Sequence, residues 1–224
     1  MDFDIITSSL GKGWETFKDN IVAFVVAPIL MIVAMFVAFM IVTVLGGGLT
    51  AIGTATGSGA LTGGLFLISM LLALIIMALV VLPFSLSMYY MAVKGLKGEK
   101  VEIGDVFYSF KSNFVKNLIF LIIYMVIIGV LSLIPLIGSL IALILFSYSP
   151  FIFLADPSKG PIYAITESFN VAKDNLVMTI VAIIVYSVLV FIGCMLLGIG
   201  LLVTLPIAYV FLAAVLKELK PGIV

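Results

Sequence analysis

Side chains able to do chemistry are few in this 224-residue sequence, and they are of restricted kind. There is no histidine, and all 11 basic residues are lysines. A lone Cys194 permits no internal disulfide and, set in an apolar run, reads as a small packing residue. Without histidine or paired cysteines, metal ligation falls to carboxylates. Asp105 in GDVF and Asp156 in ADPSKG are the candidates, but no spacing places them together, and Asp156 before Pro157 reads as a turn or capping residue. Serine hydrolysis lacks both a base and a G-x-S-x-G elbow. No catalytic residue, metal or cofactor is therefore expected. What remains is a set of hydroxyls: Ser85, Ser87, Tyr89 and Tyr90 in SLSMYY, and Ser147, Tyr148 and Ser149 in SYSPF. They admit two readings, hydrogen bonds between helices or a polar pocket for a lipid headgroup or small ligand.

The elements that must position these groups are membrane helices. The chain is 64% hydrophobic and 10% charged, whereas a soluble domain carries about 25% charged residues. A hydrocarbon layer about 30 Å thick needs roughly 20 apolar residues per crossing helix. Runs of that kind read as spans at 21–46, 65–92, 118–134, 137–155, 176–197 and 199–216. The first is too long, and its flank too mixed in charge, for a cleaved leader, so it reads as a retained span. Pro28, Pro83, Pro150 and Pro206 are expected to kink their spans. No ionisable Asp, Glu, Lys, Arg or His falls mid-span, which weakens a proton- or sodium-coupled transporter.

Charge sets the orientation. Every lysine lies at the N-terminus, after span two, after span four or at the C-terminus, and the segments after spans one, three and five carry no charge. With six spans all lysines fall on one side, which the positive-inside rule makes cytoplasmic. The expectation is a cell-membrane protein with both termini cytoplasmic. Acids accompany the lysines, so no polybasic lipid-binding patch and no nucleic-acid partner is indicated.

One phrase occurs three times: WETFKDN at 14–20, FYSFKSN at 107–113 and FNVAKDN at 169–175. Alignment pairs Trp14, Phe107 and Phe169; Phe17, Phe110 and Ala172; Lys18, Lys111 and Lys173; Asn20, Asn113 and Asn175. Each copy precedes an apolar hairpin, and LPFSLSMYYMAVKGLKG (82–98) overlays LPIAYVFLAAVLKELKP (205–221) without gaps. Periods of this kind mark a repeated unit. The fold expected is an all-α membrane protein, one polytopic domain over 1–224. It comprises three tandem parallel units (about 1–93, 94–155 and 156–224), each a cytoplasmic amphipathic helix followed by a helical hairpin. Phe3, Ile6, Leu10, Trp14 and Phe17 recur at helical steps, as do Ile103, Val106, Phe107 and Phe110. The aromatic residue anchors such a helix in the interface, the lysine reaches the headgroups, and the asparagine caps or turns the chain into its span. The same residues could instead ring a shared mouth that binds a headgroup or partner.

The outer segment GGGLTAIGTATGSGALTGG (46–64) reads first as a floppy loop. Its alternatives are a re-entrant element or a close helix contact through Gly53/Gly57 and Gly59/Gly63.

An aromatic-rich surface helix ending in Lys-Asp-Asn, followed later by SPFIFLADPSKGPIYAITESFNVAKDN, resembles a hexaspan family of prokaryotic membrane proteins of unknown function. It is similar also to the membrane domain fused to some glycerophosphodiester phosphodiesterases. The resemblance implies a six-helix membrane fold and carries no activity residue by residue. The expected function is non-enzymatic: organising membrane lipids, a membrane partner or a second copy through interfacial helices. A transporter or substrate-binding subunit for a small or lipid-like solute is the alternative.

Overall fold

The computed structural model describes residues 4–224, so Phe3 of the first amphipathic stripe lies outside the described residues. The described chain is all-helical, and six of its helices are long and apolar enough to cross a membrane. Helix α1 (Asp4–Asp19) opens the chain, and α2 (Ile21–Ala55) and α3 (Gly59–Leu96) form a long hairpin. A 3-10 turn (Ile103–Phe107) runs into the short α4 (Tyr108–Lys111), and α5 (Phe114–Ser132) follows. Helices α6 (Ile137–Phe146) and α7 (Ser149–Ala155) together make the return span. A second 3-10 turn (Pro157–Lys159) leads to α8 (Gly160–Asp174), and α9 (Leu176–Met195) pairs with α10 (Leu201–Leu219).

The outer segment is not a floppy loop. Helices α2 and α3 continue through it, and only Thr56–Ser58 turn the chain. Gly57 supplies the positive φ of 68° that the turn needs, and the Ser58 hydroxyl accepts the Leu61 N–H at 3.3 Å as N-cap. Threonine hydroxyls tie back to carbonyls within the helix, Thr50 to Gly46 and Thr62 to Ser58, so glycine-rich sequence stays helical where no water competes for the backbone. Of the four glycines singled out, Gly53 alone is a close contact: a Cβ there would lie 2.6 Å from Thr62 Cα.

Three of the four prolines sit inside continuous helices, Pro28 in α2, Pro83 in α3 and Pro206 in α10. The chain breaks only before Pro150, between α6 and α7. Pro150 has no N–H for the Phe146 carbonyl, and the Tyr124 hydroxyl donates to that carbonyl instead at 3.4 Å. Ser168 Oγ satisfies Leu145 in the same way at 2.9 Å. Cys194 does not pack inside: it is exposed near the end of α9, because the inward face there is taken by Gly193 against Leu201 and Thr204.

The core lies toward one end of the bundle. It is built from residues 83–95 of α3, nearly all of α7, and residues 206–216 of α10, with α1, α8 and the 103–111 segment packed around them. Gly13 lets α1 meet the α10 backbone, where a Cβ would stand 3.0 Å from the Ile207 carbonyl. Ion pairs Lys12–Glu218 and Lys220–Glu167 tie α1 and α8 to the end of α10, and Lys94–Asp105 ties the end of α3 to the 103–107 turn, all at that charged end.

Candidate functional site

The three repeated phrases occupy the charged end and are built differently. In α1 the buried face is Ile6, Ser9, Gly13 and Phe17, one position round from the stripe expected from sequence. Leu10 and Trp14 therefore face outward, with Trp14 50% exposed. Phe17, 2% exposed, is a core residue stacked between Trp14 and Phe24. Lys18 Nζ lies 5.9 Å from the Trp14 ring centroid, a cation–π spacing that the i,i+4 step of a helix provides.

The second phrase is not one amphipathic helix. Asp105 accepts the Glu102 N–H at 2.8 Å and the Lys94 ammonium at 2.8 Å. This local capping starts a 3-10 turn in place of a longer α-helix. Phe107 and Phe110 then meet Phe84 edge-on, with centroids 5.6 and 5.0 Å away. Lys111 Nζ lies 5.7 Å from the Phe107 centroid. In the third phrase Phe169 is partly exposed beside Phe146, and Lys173 lies 4.0 Å from Asp174. The cation–π partner in that region is instead Lys159 over Tyr163, at 5.0 Å.

The asparagines do not cap the helices that follow them with their side chains. Asn20 and Asn175 each donate Nδ2–H to the carbonyl four residues back, Thr16 and Val171, both at 3.0 Å. Asn20 Oδ1 also accepts the Val101 N–H at 2.8 Å, tying α1 to the segment after α3. Asn113 takes the left-handed conformation (φ 51°), open to asparagine because its short side chain tolerates it. The side-chain role passes to Asn117, whose Nδ2 donates to the Ser109 and Ser112 carbonyls.

The hydroxyl set does not converge on one pocket. Ser87 donates to the Pro83 carbonyl and accepts the Ser109 N–H, each at 3.0 Å. Tyr90 stacks on Tyr108 with centroids 3.6 Å apart. Ser147 donates to the Ile144 carbonyl, Tyr148 donates to Thr179 at 3.5 Å, and Ser149 is buried with its hydroxyl unpartnered. Ser85 and Tyr89 border a shared cavity.

The other tyrosines at that cavity were not anticipated. Tyr89 (α3), Tyr124 (α5), Tyr186 (α9) and Tyr209 (α10) come together between four helices. Tyr209 packs 4.5 Å from Tyr89 and 6.2 Å from Tyr186, centroid to centroid. A cavity of about 190 Å³ touches Ser85, Tyr89, Tyr124, Pro150 and Tyr209. A second, of about 210 Å³, reaches from Ser85 and Tyr209 to Pro28 and Gly198. The signal in the sequence was a single tyrosine near the middle of each of three apolar spans, in LIIYMVI, IIVYSVL and PIAYVFL. A larger groove of about 400 Å³, lined by apolar side chains alone, runs between α2 and α3 and is lined also by Phe107 and Phe110. Among the described residues no group of three His, Cys, Asp or Glu stands close enough to hold a metal ion.

Comparison with known protein families, curated proteins and solved structures found no match to this chain.

Proposed function

We propose that this chain is a non-enzymatic integral membrane protein that organises lipids through helices lying at the cytoplasmic face of the cell membrane. One observation carries the reading. At two of the three phrases an ammonium stands over an aromatic ring, Lys18 on Trp14 and Lys111 on Phe107, and neither lysine has an ion-pair partner among the described residues. Aromatic rings favour the headgroup level, and lysines beside them reach the phosphates. The opposite faces of these segments are pinned to the core through Phe17 and Val106, so the couples are held on a rigid collar.

The orientation proposed has both termini cytoplasmic, with three tandem units of one collar segment and one hairpin. Its support is the gathering of the lysine-bearing segments by Lys12–Glu218, Lys94–Asp105 and Lys220–Glu167, together with the positive-inside rule. The second reading, a subunit for a small or lipid-like solute, is favoured by the tyrosine-bordered cavities that share Ser85 and Tyr209.

The test is native mass spectrometry of the full chain released from nanodiscs of phosphatidylcholine and phosphatidylglycerol. The wild type is expected to carry lipid enriched in the anionic species. Replacing Trp14 and Phe169 by alanine and Lys18 and Lys173 by glutamine is expected to lower that enrichment. An unchanged lipid complement would overturn the reading. A stoichiometric small molecule lost on Tyr209→Phe would establish the second one.

A further inference from the structure

The groove between α2 and α3 has features that an ordinary lipid-facing surface lacks. Its floor is made by small side chains one helical turn apart, Ala34 and Ala38, and Ala38 is 3% exposed while its neighbours Val37 and Ile41 stand out as a rim. Its volume of about 400 Å³ is bounded by hydrocarbon on every lined side. Phe107 and Phe110 line it at one place and pack edge-on against Phe84, which lines it too. Charge stands beside these rings: Lys111 lies over the Phe107 ring, and Phe110 stacks on Phe114 at the start of α5, in whose first turn Lys116 follows. Neither lysine pairs with an acid among the described residues. The nearest carboxylate in sequence, Asp105, is already taken by Lys94 and the Glu102 N–H.

We propose that this groove is a specific site for one anionic phospholipid, with a hydrocarbon chain lying between α2 and α3 and the phosphate held by Lys111 and Lys116. The proposal rests on the lipid-organising reading and narrows it to one lipid class at one place. The physical division of labour is clear. A lipid chain gains little hydrophobic energy by moving from bilayer to groove, because lipid tails are as apolar as the groove walls. The groove therefore fixes position by shape, and selectivity comes from the cations. A lysine near an anionic surface contributes about 1 kcal/mol, or roughly fivefold in affinity.

The experiment uses the full chain in nanodiscs of phosphatidylcholine with a minority of phosphatidylglycerol, read by native mass spectrometry. One phosphatidylglycerol per chain is expected to survive gentle delipidation. Lys111→Gln with Lys116→Gln is expected to lower its retention more than tenfold relative to phosphatidylcholine. Ala38→Phe, which fills the floor, is expected to remove the bound lipid of either kind. A phosphatidylglycerol carrying a diazirine in its chain, photolysed with the unaltered protein, locates the site even if a variant fails to fold. Cross-links should concentrate on Ala34–Ile41 and Ile76–Phe84. Cross-links spread evenly over α5 and α9 would overturn the proposal, as would a groove occupied by a second copy of the chain. If the Lys111/Lys116 variant keeps its lipid while the Trp14/Lys18/Phe169/Lys173 variant loses enrichment, the groove site fails and the broader reading stands. If neither variant changes the lipid complement, both fail.

Discussion

Helices α3 and α10 contradict the rule by which soluble proteins are read. The most apolar stretch of α3 is the more hydrophobic of the two, yet none of its residues is buried, whereas 56% of the corresponding window of α10 is buried. Between Ala38 of α2 and Pro83 of α3 only Gly53 is buried. In lipid a leucine gains little by leaving the surface, so burial follows packing shape and polar satisfaction and not hydropathy. Helix α10 offers Ala208, Ala213 and Ala214 for close approach and Tyr209 for contact with its neighbours, and it is surrounded. The outer arms of α2 and α3 offer Leu, Ile, Val and Phe, and they face outward.

The sharpest way to break this contrast is to truncate one phenylalanine from each region. Phe211 is fully buried, and Phe211→Ala should cost about 3–5 kcal/mol. Phe66, 56% exposed, should change stability by less than about 0.5 kcal/mol on the same replacement. Unfolding by sodium dodecyl sulfate in bicelles measures both. Similar losses would show that the outer arms are packed against something in the membrane. A second pair lies within the arms themselves. Gly53→Ala would press a methyl onto the Thr62 backbone and should cost about 1–3 kcal/mol by forcing the arms apart. Gly64→Ala meets nothing within 4 Å and should stabilise the helix by about 0.5–1 kcal/mol. The signs are opposite for one chemical change, so the pair tests the hairpin geometry without an external reference.

The six long helices were legible because hydropathy and length alone specify them. The outer helical turn was not, because glycine, serine and threonine at 46–64 are loop formers in water and helix-compatible in lipid, where Thr50 and Thr62 bond their own backbone. The i,i+4 spacing fits the couples of Trp14 with Lys18 and of Phe107 with Lys111, yet the same spacing at Phe169 and Lys173 gives none, because Lys173 lies beside Asp174. The burial of Phe17 was not legible, since a one-residue rotation of a stripe leaves no mark in local pattern, and the lone mid-span Tyr124, Tyr186 and Tyr209 mark their own helices without showing that the four spans converge. Asn20, Asn113 and Asn175 align in sequence and differ in structure, because Asn113 ends a 3-10 turn and four-residue helix while the others end α-helices of 16 and 15 residues.

That difference sharpens the comparison at smaller scale. Asn20→Ala removes two bonds, one of them the sole tie to the Val101 N–H, and should cost about 1–2 kcal/mol because Val101 is buried. Asn175→Ala removes one bond to Val171 and should cost about 0.5 kcal/mol. Equal losses would mean that the tie between α1 and the segment after α3 contributes nothing to folding.

The smallest effect expected concerns charge at the rim of the packed region. Asp156 is partly exposed, and the Ser158 hydroxyl, followed by its backbone N–H and Lys159, holds its carboxyl below the usual carboxylate range. Its folded-state value is depressed, so its contribution is present above the ordinary carboxylate range and is lost as pH falls through the depressed value. Lys220 is the mirror case: its hydrogen bond to Glu167 raises the ammonium, so that contribution holds below the ordinary lysine range and is lost only as pH rises through the raised value. Between the two limits stability should be flat with pH. Asp156→Ala should flatten the acid limb slightly and leave the alkaline limb unchanged, and Lys220→Met should do the reverse. Solvent screens both groups, so each change should fall below that of Asn175→Ala. If either single variant moved both limbs, the two rim charges would be coupled through α8, and the charged end would respond to pH as one unit and not as separate contacts.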